Sequence, residues 1–67
     1  MSPDWWRGQV LKKIRERRGF TQAALAERVG VHQVTIARLE TGERNPSMDL
    51  LHRLAKALKV KLPELLK

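Results

Sequence analysis

The sequence predicts an all-α fold, a compact bundle of four to five short helices. Three observations carry this. Apolar residues recur three or four apart in successive segments, no segment alternates apolar and polar like a strand, and Gly and Pro punctuate the boundaries.

The first segment opens on Ser2-Pro3-Asp4, with Ser2 placed as N-cap and Pro3 at the first helical position. Trp6, Val10, Leu11 and Ile14 then repeat at helical spacing, and Arg17-Arg18-Gly19 ends the segment with cations before a Gly. Thr21 is the next N-cap. Gln22 to Val29, "QAALAERV", is rich in helix formers, with Leu25 and Val29 four apart. Gly30 stops it. A third helical pattern begins at His32, two residues after Gly30, and runs to Thr41-Gly42. "GERNP" is a turn, Ser47 caps a fourth helix, and Leu50, Leu51, Leu54 and Leu58 form its apolar face. Val60 and Leu62 lead into "LPELLK", with Pro63 near the first turn of a short last helix. No repeat, low-complexity tract or linker interrupts the chain, so residues 1–67 read as one domain.

Composition bounds the function. A domain of 67 residues has a small core, and tight helix packing or a second subunit must supply its stability. There is no Cys, hence no disulfide and no thiolate metal site; His32 and His52 cannot close a structural zinc site alone. No cofactor is expected. Fourteen Lys and Arg stand against seven Asp and Glu, a formal net charge of +7. Such an excess attracts polyanions, nucleic acid first and an anionic membrane surface second. The basic residues are scattered around the helices, which gives the membrane no further support. No apolar run spans a bilayer and no export signal opens the chain, so a cytoplasmic, nucleoid-associated location is expected. No nucleophile sits beside a base, and neither HExxH nor a phosphate-cradling Gly loop occurs, so an enzyme is not expected.

Two helices joined by a tight turn at Gly30 form a helix-turn-helix candidate over about residues 22–41. With Gln22 as the first position, Ala26 is fifth, Gly30 ninth, Ile36 fifteenth and Leu39 eighteenth. Small Ala26 lets the helices approach. Gly30 accepts a positive φ without steric cost. Ile36 and Leu39 anchor the second helix, which leaves Gln33, Val34, Ala37 and Arg38 facing outward. That face pairs an amide and a cation with two bare apolar groups, an odd set for plain solvent contact.

The run "GFTQAALAERVGVHQVTIARLETGERNPSMDLLHRLAKALKVKLPELL" resembles the phage repressor and Cro-like (XRE-type) helix-turn-helix domains, with the lambda-repressor-like fold. The resemblance covers about Gln9 to Leu66. It implies a sequence-specific regulator that lays its third helix in the major groove of double-stranded DNA, at a palindromic operator, most simply as a repressor. Gln33 would pair with adenine, Val34 would pack on a thymine methyl, and Arg38 would reach guanine or phosphate. His32 and Thr35 belong to the same implied contact helix. Gln22 would bind phosphate and brace Gln33, beside its cap Thr21, and the backbone N–H groups of that helix start would add anion affinity. Thr41, Arg44 and Asn45 would follow the phosphate backbone. Arg15 and Glu40 match a buried interhelical salt bridge. Leu62, Leu65 and Leu66 match dimer contacts, so a homodimer is expected, formed mainly on DNA.

Two alternatives accompany this expectation. One is an antitoxin or phage regulator that also grips a protein partner through Trp5 or Trp6, a pair the family pattern does not require. The other is an interaction module of the same fold that has lost DNA binding. Lys12, Lys13, Arg17, Arg18, Lys56, Lys59 and Lys61 read as solvated cations that add only a general field.

Overall fold

The structure is a computed structural model and describes residues 4–66. It consists of α1 (Gly8–Arg17), α2 (Gln22–Val29), α3 (Gln33–Thr41), α4 (Met48–Leu58) and α5 (Leu62–Leu65). Among the described residues there is no strand. No helix among them is long and apolar enough to cross a membrane.

The first helix begins later than its sequence suggests. Ser2 and Pro3, the expected cap and first position, lie outside the described residues. Asp4 and Trp5 form a turn, and Arg7 is extended (φ −124°, ψ 105°) just before Gly8. Tertiary contact decides this start. Trp6 is 2% exposed, and its indole donates to the Leu39 carbonyl of α3 at 2.9 Å. A local helix signal cannot outweigh a buried aromatic with its polar atom satisfied.

The other boundaries follow local chemistry. Thr21 Oγ1 accepts from Ala24 N at 3.0 Å, and Ser47 Oγ accepts from Leu50 N at 3.1 Å. Gly30 is left-handed (φ 77°), and Val31 N donates back to the Ala26 carbonyl at 2.9 Å. Behind this turn, Arg53 of α4 donates to the Val29 carbonyl at 2.9 Å while pairing with Asp49. The end of α2 is thereby held by a helix distant in sequence. Helix α4 ends on Lys59, also left-handed (φ 57°), where glycine is the usual residue. The left-handed conformation costs an L-residue about 1–2 kcal/mol, part of which glycine loses again through its unfolded-state entropy. Lys59→Gly should therefore raise stability by roughly 0.5–1 kcal/mol in urea unfolding. A loss of stability would mean that the Lys59 side chain contributes more than its exposure suggests.

Helix α3 packs between α1 and α2, α4 backs α2, and α5 closes against α4 and α1. Leu11, Leu25, Ile36, Leu39, Leu51, Leu54, Leu58 and Leu65 have essentially no exposed surface. Leu65 corrects an expectation. It fills the core beneath α5 and offers nothing to a second chain, whereas Leu62 and Leu66 are half-buried at the edge of that core.

Candidate nucleic-acid interface

Helix α3 is anchored along its inner face by Ile36 and Leu39. Thr35 stands four residues before Leu39 and is also buried, at 8% exposure. Its expected place among the DNA contacts is corrected: Thr35 lies on the packing face. His32, Gln33, Val34 and Arg38 are exposed, and Ala37 is half-buried between them. Val34 is 53% exposed, a bare β-branched group on an otherwise polar rim. His32 precedes the helix with extended backbone and makes no side-chain cap bond. Thr21, Arg44 and Asn45 are exposed, and Gln22 is half-buried. Arg38 lies 3.9 Å from Glu43 with both side chains mostly in solvent, so this pair restrains Arg38 little.

Beneath that surface lies a charged knot. Arg15 Nε donates to Glu40 Oε2, and Arg15 Nη2 donates to Glu40 Oε1 at 3.2 Å. The third guanidinium nitrogen, Nη1, donates to the Phe20 carbonyl at 2.8 Å. The hydrogen bond to Glu40 pushes the Arg15 pKa above its ordinary value, against the opposing effect of burial; the Glu40 and Glu16 charges add to the rise. Gln22 Nε2 also donates to Glu40 Oε1, at 3.0 Å. This corrects the expected brace: the Gln22 amide is turned to Glu40 rather than to Gln33. Gln22 thus ties the start of α2 to the end of α3.

The C-terminal turn of α3 is held from outside by residues whose role here the sequence did not disclose. Trp6 bonds to the Leu39 carbonyl, and Gly8 lies directly against the Leu39 and Glu40 carbonyls, too close for any Cβ. An open groove of about 720 Å³ runs beside it, where Arg7, Lys12 and Lys13 of the α1 side meet Gln22, Ala37 and Thr41. Lys12 and Lys13, expected to be merely solvated, therefore adjoin the outer face of α3 together with Arg7. The Asp49–Arg53 spacing is legible as a helical pair, but the reach of Arg53 to α2 is not.

The helix-turn-helix family HTH_3 matches residues 11–65, most of the chain. The chain belongs to this family. Similar proteins include an HTH-type transcriptional regulator of Methanothermobacter thermautotrophicus, 49% identical over 49 residues, which are 73% of this chain and 71% of the relative. The P22 c2 repressor, solved with a synthetic operator, superposes with TM-score 0.85 at 35% identity, covering 92% of this chain and 94% of that one. SinR of Bacillus subtilis, the master regulator for biofilm formation solved with DNA, superposes with TM-score 0.84 at 31% identity, covering 90% and 97%. This HTH_3 chain thus has the lambda-repressor-like fold and belongs among transcriptional regulators.

Proposed function

We propose that this chain represses transcription by binding a palindromic DNA operator as a dimer, in the cytoplasm, with α3 in the major groove. The outer face of α3 carries the proposal: exposed Gln33, Val34 and Arg38 stand beside a basic groove, on a helix locked from behind. A side chain such as Val34 gains nothing from water, but it gains from a thymine methyl. Gln33 reads an adenine edge, and Arg38 exchanges its weak contact with Glu43 for a guanine or a phosphate. Thr21, Gln22, His32, Arg44 and Asn45 contact the phosphate backbone, and Arg7, Lys12 and Lys13 extend that track along the groove. Residues 1–67 act as one DNA-binding unit. Leu62 and Leu66 remain for a contact between two chains on half-sites about one helical turn apart. Of the two tryptophans, Trp5 alone is open to a protein partner, at 45% exposure, and buried Trp6 is not.

Selection from a random duplex pool followed by base substitution tests this. Gln33→Ala should cost about 1–3 kcal/mol on the selected site and relax one position to any base. Arg44→Ala should instead weaken every duplex alike. Affinity should also fall with salt, with a log–log slope near −0.9 per phosphate neutralised. A flat salt response, or full base preference retained by Gln33→Ala, would remove the reading.

A further inference from the structure

We infer that Trp6 is a positioning residue for base reading: its indole N–H fixes the C-terminal turn of α3, and so the pose of Gln33, Val34 and Arg38. This rests on the proposed DNA reading for its functional consequence, but its geometry stands without DNA.

Helix α3 has only 9 residues, and a helix end leaves backbone carbonyls that its own backbone N–H groups cannot reach. Such a helix has little rigidity of its own. Its start is set by the Gly30 turn. At its other end the Arg38 carbonyl accepts from Arg44 N at 3.2 Å and from Thr41 Oγ1 at 3.1 Å. The Leu39 carbonyl accepts from Trp6, a residue 33 positions away and before the first helix. Gly8 lets the chain pass against the same carbonyl and the next, so the indole arrives in register. Beside it, Arg15 holds the Glu40 side chain. Trp6, Gly8 and Arg15 therefore clamp the end of α3 through an indole hydrogen bond to its backbone, a steric stop and an ion pair. Trp5 lies edge-on to Trp6, ring centroids 6.5 Å apart, and packs against the clamping ring from the solvent side.

The bond alone can be removed. A chain of this length is accessible to chemical synthesis, and 3-benzothienylalanine at position 6 keeps the ring's size while replacing N–H by sulfur. A merely structural loss lowers the folded fraction and weakens all DNA binding in proportion, leaving the ratio between sites unchanged. A loss of pose acts on the ratio. The preference of the full chain for its selected site over random duplex should fall about tenfold, most of what one good base contact supplies. Affinity for random duplex should stay within about twofold, since phosphate contacts tolerate small shifts. Without DNA, amide exchange at Leu39 to Thr41 should quicken about three- to tenfold, with α2 and α4 unchanged. An unchanged preference in a folded analogue overturns the inference. So does global unfolding, which would make the bond a general support. A parent chain with no sequence preference would instead sink the DNA reading, and the exchange rates alone would then decide the clamp.

Discussion

Gly8→Ala should strongly destabilise this protein, although helix propensity taken alone predicts the opposite. Alanine is about 1 kcal/mol better than glycine inside a helix, and Gly8 opens α1. Its Cβ, however, would stand inside the van der Waals shells of the Leu39 and Glu40 carbonyl oxygens. These are backbone atoms at the end of α3, with no flexible side chain to swing aside. Overpacking of this kind costs about 1–3 kcal/mol in ordinary cores, and the upper end or beyond is expected where backbone must move. For a domain this small, about 3 kcal/mol corresponds to a drop of roughly 12–24 °C in Tm. Gly19→Ala is the useful contrast, because an added Cβ there meets nothing within 4 Å. Its positive φ of 80° then sets the cost, an expected 1–2 kcal/mol or so. Thermal unfolding of both variants checks the ordering. If Gly8→Ala melted at or above the parent temperature, the close approach of α1 to α3 would be wrong.

Arg15→Met carries the second large effect. Arg15 and Glu40 keep only 9% and 4% of their side-chain surface exposed. Removing one member of a buried pair costs about 3–5 kcal/mol, because the other charge stays desolvated without its counterion. After Arg15→Met, Glu40 keeps the Gln22 amide as its one side-chain donor among the described residues, and the Phe20 carbonyl loses a donor. The double variant Arg15→Met with Glu40→Leu should recover much of that loss, since it removes both desolvated charges and adds apolar contact. Denaturant unfolding of both variants measures the difference. Asp49–Arg53, at 2.9 Å but largely in solvent, should contribute under about 1 kcal/mol through its ion pair. A single Arg15→Met variant as stable as its parent would place the pair in water.

What could be read from residue order concerned neighbours along the chain. The caps Thr21 and Ser47 bond to amides three residues on, and Gly30 needs only its own backbone to turn left-handed. Their chemistry is local, so their identity announces them. The inward Leu39 and the outward Val34 follow from helical spacing. Thr35 was legible by the same rule, since a residue four before Leu39 shares its face; the implied contact role obscured it. The pairing of Arg15 with Glu40 came from resemblance, because two oppositely charged residues 25 apart do not identify each other.

Residue order alone was enough for the all-α class, the order of the helices, both ends of α2, the start of α4 at its Ser47 cap and most of the apolar set that closes the core. Backbone capping and hydrophobic periodicity act over one or two turns, so each segment states its own requirements. Only the tertiary structure decided that α1 starts at Gly8, that Trp6 reaches Leu39, that Arg53 reaches Val29, that Gln22 turns to Glu40 and that Leu65 belongs to the core. Each of these joins parts of the chain that become neighbours only after the helices have packed. Their partners are backbone carbonyls, a shared carboxylate and the apolar interior, none of which leaves a mark at the position in sequence where the contact is made.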